Sequence, residues 1–211
     1  MKFHVFLGVV PTALFLVSLG LMAQPTPEQK NALVEIEKMG GTVSIDEKKP
    51  ERPVVSVSFL FSGKITATGL ASLKVFPDLS YLSLAGSKVS DDEIAHLAGL
   101  KKLGTLDLSF TGVTDRGIGN LKGLTKLNLL DISYTKVGDK GFAHLKGLAT
   151  LSDLNLDGTQ VTDMGLVHLK ELTNLRSLSL SLTPVTEAGI RDLQKSLPKV
   201  TISMLKPGKG N

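Results

Sequence analysis

The chain has no cysteine and no tryptophan, and only two of its 211 residues are tyrosine. Without cysteine there is no disulfide to stabilise it outside the cytosol and no lipidated cysteine to tether it, so burial must supply its stability. Aromatic residues make up 5% of the chain, too few for a surface that stacks on the bases of a single strand. The formal net charge of +4, or +3 without Lys2, is too mild to mark a polyanion partner, and nucleic acid is not expected to be one. G-x-S-x-G, H-E-x-x-H and C-x-x-C are all missing. "SGKIT" at Ser62 to Thr66 lacks the hydroxyl residue that should follow a phosphate-loop lysine, and "GIGNLKG" from Gly117 misses the dinucleotide spacing. Neither catalysis nor a cofactor is expected.

What remains is the composition of an ordinary globular protein, 42% hydrophobic and 21% charged. "MKFHVFLGVVPTALFLVSLGLMA", Met1 to Ala23, opens with a basic residue, continues apolar, contains no acid and ends on a small residue. That is the grammar of a secretory signal peptide, and it predicts export to the periplasm, the cell envelope or the medium. Leu21 sits where a cleavage box favours a small residue, and the apolar run is nearly long enough to span a bilayer, so an uncleaved N-terminal anchor is the alternative. Membrane attachment, on either account, is confined to residues 1–23.

The rest of the chain repeats. At a spacing of 24, Leu79, Leu103, Leu127, Leu151 and Leu175 fall in one column, and each opens the frame L-x-x-L-x-L: "LSYLSL", "LGTLDL", "LNLLDI", "LSDLNL", "LRSLSL". A hydroxyl column follows (Ser87, Thr111, Thr135, Thr159, Thr183), then a valine column (Val89, Val113, Val137, Val161, Val185), then an acid (Asp91, Asp115, Asp139, Asp163, Glu187). A motif repeated at a fixed interval is architecture, and this period marks a solenoid. The alternating leucines predict a strand with one buried face. The hydroxyls are placed to bond backbone groups of the turn, in a ladder along the stack. The Thr162 and Asp163 positions suit a helix N-terminus, and Ser90 with Glu93 forms a capping box. Gly117, Gly119 and Gly123 in one unit, at about 1 kcal/mol each relative to alanine, make helices that hold only by packing on their neighbours.

In these residues the chain resembles a leucine-rich-repeat protein, of the 24-residue "VTDxGLxxLxxL" type similar to the cysteine-containing class and to repeats of exported planctomycete-type proteins. Ser or Thr stands where that class often has Asn or Cys. The resemblance covers about Val54 to Ile202 and implies an α/β solenoid, a short right-handed horseshoe with parallel strands on the concave face and short helices on the convex face. It also implies protein recognition. The expected organisation is residues 1–23 as signal or anchor, 24–53 as an N-terminal helix-strand cap, 54–202 as about five regular repeats with irregular end units, and 203–211 as a flexible tail. In the cap, Thr26, Pro27 and Gln29 start a helix, Leu33, Ile36 and Met39 form its inner face, and Gly40 and Gly41 stop it before "TVSI". "VVSVSFLF" breaks the leucine frame and is expected to carry a bulge.

Function should lie in what varies between repeats. His96, His144 and His168 share one convex position, but Asn120 interrupts the column and a zinc site needs three or four ligands, so they read as surface residues. Lys122, Lys146 and Lys170 read as a solvated face rather than a stripe for an anionic polymer. The outward strand positions carry Tyr81, Ser83, Asp107, Leu129, Asp131, Asp153, Asn155 and Asp157. With strands about 4.8 Å apart, the four aspartates cluster mid-face, where like charges in register oppose stability unless something compensates. These eight residues are the expected binding surface, an acidic centre for a basic segment of a partner protein, with Tyr81 and Leu129 as apolar contacts. Calcium is a subsidiary reading that lacks a loop cage, and a solvated face without a ligand is the plain alternative. A structural or polysaccharide-binding envelope protein is the competing function, although Tyr81 is nearly alone as a concave aromatic. A monomer with low affinity for its partner is expected.

Overall fold

The computed structural model describes residues 25–63 and 65–205; the signal-like segment and residues 206–211 lie outside the described residues. Helix α1 (Pro27–Lys38) begins on the expected box, with the Thr26 amide donating to Gln29 Oε1 at 3.0 Å and the Gln29 amide to Thr26 Oγ1 at 3.3 Å. Its buried side comprises Ala32, Leu33 and Ile36, and the chain leaves it through Gly40 at φ +74°. Strand β1 (Thr42–Ile45) then pairs antiparallel with β2 (Val54–Ser58). The irregularity expected in the first unit appears in this pairing, where the register shifts between Ser44 and Ile45.

From β2 onward every strand is parallel and lies beside its predecessor in sequence: β3 (Tyr81–Ser83), β4 (Thr105–Asp107), β5 (Leu129–Asp131), β6 (Asp153–Asn155), β7 (Ser177–Ser179) and β8 (Thr201–Ser203). The register follows the sequence columns, with Leu82, Leu106, Leu130, Leu154, Leu178 and Ile202 in one row. Leu84, Leu108, Ile132, Leu156 and Leu180 form a second inward row, fully buried. Short convex helices return the chain: α2 (Ala67–Ser72), α3 (Asp91–Ile94), α4 (Asp115–Gly119), α5 (Asp139–Phe142), α6 (Asp163–Leu169) and α7 (Glu187–Ser196). A 3-10 turn continues each of α2 to α5. Leu70, Ile94, Ile118, Phe142, Leu166 and Leu193 point from these helices into the same core. A parallel open sheet with helices on one side is thus an α/β solenoid.

The hydroxyl column bonds locally rather than along the stack. Thr111, Thr135 and Thr159 each donate to the carbonyl three residues earlier, of Leu108, Ile132 and Leu156, at 2.6–2.7 Å, and Ser87 does the same to Leu84. Each therefore closes its own turn and satisfies its own buried hydroxyl; at Leu84 and Leu156 the same carbonyl also accepts the amide of Ser87 and Thr159, both at 3.1 Å.

The acid column supplies the link between repeats. Asp139 Oδ1 accepts the Thr162 amide of the next repeat at 2.8 Å while its Oδ2 accepts the Thr162 hydroxyl at 2.8 Å. Asp91 holds Thr114, and Asp163 holds Thr186, through the same pair of bonds. This carboxylate explains the glycine two residues after Asp115, Asp139, Asp163 and Glu187; Asp91, whose preceding repeat has Ala67 in place of the acid, is followed by Glu93. A Cβ on Gly165 would stand 2.5 Å from Asp139 Oδ1, one on Gly141 2.7 Å from Asp115 Oδ1, and one on Gly189 2.2 Å from Asp163 Oδ1. The glycine weakens its own helix and makes room for the preceding repeat's carboxylate.

One link is incomplete. Gly138 occupies the threonine position, so Asp115 receives the amide at 2.7 Å and no hydroxyl, and α5 lacks a side-chain cap. Gly138 has an extended backbone (φ −128°), and a Cβ there meets nothing closer than 3.8 Å. Gly138→Thr should therefore stabilise the protein by about 1 kcal/mol through the missing bond and cap. Gly165→Ala should destabilise it by about 1–2 kcal/mol net, overpacking against Asp139 outweighing the better helix propensity. Urea unfolding of both variants checks the pair of opposite signs.

Candidate functional site: the concave face and its rim

The outward positions of β3 to β7 form three rows. The first contains Tyr81, Thr105, Leu129, Asp153 and Ser177; the second contains Ser83, Asp107, Asp131, Asn155 and Ser179. The third, one position past the strands' last paired residues, contains Ala85, Ser109, Ser133, Asp157 and Ser181. Asp107 and Asp131 are direct register partners, as are Leu129 and Asp153. Ser83 is only 3% exposed and spends its hydroxyl on Asp107 Oδ2 at 3.3 Å, so it supports the face rather than offering itself.

Each central carboxylate sits in a cradle of donors. Asp107 Oδ1 accepts the Ser109 amide at 2.9 Å and the Ser109 hydroxyl at 2.7 Å. Asp131 Oδ1 accepts the same two groups of Ser133, at 2.8 and 2.6 Å, and its Oδ2 accepts Asn155 Nδ2 at 2.9 Å. Asp157 Oδ1 accepts the Ser179 hydroxyl and the Ser181 amide, both at 2.6 Å. Asp153 accepts the Ser152 hydroxyl. Hydrogen bonds to the charged form are the stronger kind, and they compensate the stacking of acids at the cost of leaving the charge itself uncancelled. Among the described residues none of these four aspartates is in an ion pair; the pairs lie elsewhere, on Asp78, Asp91, Asp92, Asp192 and glutamates.

The convex side differs. Lys146 reaches Glu171 and Lys170 reaches Asp192, each at 2.6 Å, so two of the three column lysines are paired with acids of the following repeat. The bond from Lys170 holds the Asp192 carboxyl below its usual range. A shallow depression of about 250 Å³ between α6 and α7 is lined by Lys170, Asp192, Asp163 and the apolar Leu166 and Leu193. Among the described residues no three imidazole or acidic groups converge as a metal site would require, on either face.

The rim beside the third row carries a feature the sequence reading passed over. Phe61, Gly86, Phe110, Tyr134, Gly158 and Leu182 follow the strands, and all six have positive φ, from 53° to 65°. For L-residues this left-handed conformation costs about 1–2 kcal/mol, and a bulky residue there is an outlier. Two glycines fill the position without that cost, yet four bulky apolar side chains share it and remain exposed, Phe61 at 74% and Phe110 at 58%. Phe110 and Tyr134 stack with ring centroids 4.4 Å apart and planes 9° from parallel. The Tyr134 ring also lies over Gly158, and the Phe61 ring over Gly86, where a Cβ would stand 2.7 and 2.2 Å from ring carbons. The signal was a column mixing glycine with phenylalanine, tyrosine and leucine, a mixture a buried position does not tolerate.

A leucine-rich-repeat family model matches residues 99–121, the end of the first regular unit and most of the second, including β4 and α4. The whole arrangement is similar to solved structures of bacterial repeat proteins. The fold is a leucine-rich-repeat solenoid. Internalin C2 of Listeria monocytogenes is 22% identical, with a TM-score of 0.57 over 88% of this chain and 88% of that one. A Leptospira interrogans leucine-rich-repeat protein is 24% identical with a TM-score of 0.52, and the internalin InlF of Listeria monocytogenes is 20% identical with a TM-score of 0.52. They are matched over 67% and 87% of this chain, which spans 34% and 57% of their own lengths. No curated protein matches the chain. No helix among the described residues is long and apolar enough to cross a membrane.

The cradle around the acids yields a site-specific expectation. The Asn155 amide is locked, because its Oδ1 accepts the Asp157 amide at 3.1 Å while its Nδ2 serves Asp131. Asp131→Asn therefore sets two amide donors against each other and should cost about 1–2 kcal/mol. Asp107→Asn faces a serine hydroxyl that can turn round, and should cost less than about 0.5 kcal/mol. Equal losses in chemical denaturation would contradict this geometry.

Proposed function

We propose that this protein is an exported, monomeric, non-catalytic module that binds another protein through its concave face, with Asp107, Asp131, Asp153 and Asp157 as the acidic centre. The observation that carries the proposal is the combination just described: four carboxylates in neighbouring repeats, oriented by backbone and hydroxyl donors, with no cation among the described residues to neutralise them. Orientation without neutralisation leaves a negative field facing outward from a rigid sheet, and such a field steers and selects a basic partner segment. Tyr81 and Leu129, both 38% exposed, flank the acids in the first row and supply apolar contact. Export rests on the segment Met1 to Ala23, and its cleavage or retention decides between a free and a membrane-tethered form.

A polysaccharide surface would offer ring faces to sugar rings. Here Phe110 and Tyr134 turn their faces to each other, which supports a protein partner instead. The similarity to internalins concerns fold alone at 20–22% identity, and no partner is carried over from them.

The test is capture from envelope extract by the full chain at low and moderate salt, in parallel with Asp107→Asn/Asp153→Asn/Asp157→Asn. This set neutralises charge while retaining an acceptor for every bond described. The proposal predicts a protein retained by the parent, lost with the variant and weakened by salt. Equal retention by both proteins would show the aspartates to be a solvated scaffold.

A further inference from the structure

We infer that the left-handed rim column, chiefly Phe110 and Tyr134 with Leu182, is the apolar half of the same interface, and that the partner segment it accepts is a cationic amphipathic helix. This rests on the acidic-centre reading above and gives its partner a shape. Three observations carry it.

The first is the cost of the column. Gly86 and Gly158 show that the turn forms without a side chain, so Phe61, Phe110, Tyr134 and Leu182 are retained against backbone strain and against exposure. Turn geometry does not account for them, and they add nothing to the core, which Leu108, Ile132 and Leu156 already fill; their contacts are with one another and with the rim glycines, on the surface.

The second is charge complementarity. Phe110 lies three residues after Asp107 and Tyr134 three after Asp131, while the Tyr134 ring covers Gly158, the neighbour of Asp157. Apolar rim and unpaired carboxylates thus run side by side along the same rungs. A segment with apolar side chains on one stripe and lysine or arginine on the next meets both at once; an acidic or a purely apolar segment does not.

The third is spacing. Successive rungs lie about 4.8 Å apart, and one turn of helix rises about 5.4 Å. A helix laid across the rungs therefore presents roughly one apolar residue per rung over several repeats, in the i, i+3, i+4, i+7 pattern. An extended strand repeats its facing side chain every 6.6 Å or so and loses step after two rungs. The stacked Phe110 and Tyr134 rings form one continuous exposed apolar ridge, suited to a groove between helix side chains.

The experiment uses the full chain and three synthetic peptides of roughly 18 residues, each monitored by titration calorimetry. One has Leu at helical spacing with Lys elsewhere, one replaces every Lys with Glu, and one arranges the Leu and Lys of the first in strict alternation. The expected result is binding of the first at least tenfold tighter than of either control. Phe110→Asn/Tyr134→Asn, which keeps residues tolerant of the left-handed backbone, should weaken it at least tenfold with the circular dichroism spectrum unchanged; Phe110→Gly/Tyr134→Gly serves if that pair fails to fold. Equal binding of the alternating peptide, or undiminished binding by the rim variants, overturns the inference. So does reversible dimerisation of the parent that the rim variants abolish, which would make a second copy the occupant. If Asp107→Asn/Asp157→Asn weakens the first peptide and the rim variants do not, the acidic centre stands and the rim is discarded.

Discussion

A carboxylate that reaches forward into the next repeat holds this solenoid together. Asp91, Asp139 and Asp163 each grip the amide and the hydroxyl of the threonine that starts the following convex helix. The helices they organise, α4, α6 and α7, are five to ten residues long and each contains glycine, so none is stable alone. The grip satisfies a helix N-terminal donor, places negative charge at the positive helix end, and fixes the spacing of neighbours in one step. The glycine column exists to admit it, and buried leucine rows then add stability that is shared along the stack.

The same translational register distributes the surface. Because every strand repeats its predecessor's pairing, each outward position becomes a row of chemically related side chains. Buried rows are leucine, the second outward row is polar, and the rim row is left-handed. Within that scheme Asp107, Asp131 and Asp157 meet one structural demand, that of accepting serine hydroxyls and amides, and leave another, charge balance, unmet. The rim aromatics likewise occupy a turn that glycine serves equally well. Features the scaffold does not need are the natural place for recognition.

Much of this was legible in the chain itself. Columns at a 24-residue spacing set the strand register one row at a time, since a parallel sheet of identical units has no other consistent pairing. The α1 capping box and the glycine stop were read from local chemistry, which local structure obeys. The reach of Asp139 to Thr162 was not, because the sequence places that acid beside its own helix N-terminus and only the stacking geometry brings the next threonine closer. For the same reason the hydroxyl column could be assigned to turns but not to the intra-turn carbonyl it bonds. The concave acids were visible as a row, while their donors, Ser109 and Ser133, depended on a rotamer. The rim was overlooked because positive φ at a phenylalanine leaves no trace in hydrophobic periodicity; only its alternation with glycine hints at it.

The most direct test of the forward carboxylate is a double-mutant cycle between Asp139 and Thr162, using Asp139→Ala and Thr162→Val alone and together, with stability measured by urea unfolding. If the grip joins repeats, the two substitutions are strongly coupled, by about 1 kcal/mol or more, as for a hydrogen bond to a charged group in contact. If their effects simply add, the carboxylate is not what binds one repeat to the next, and leucine packing alone would have to carry the solenoid.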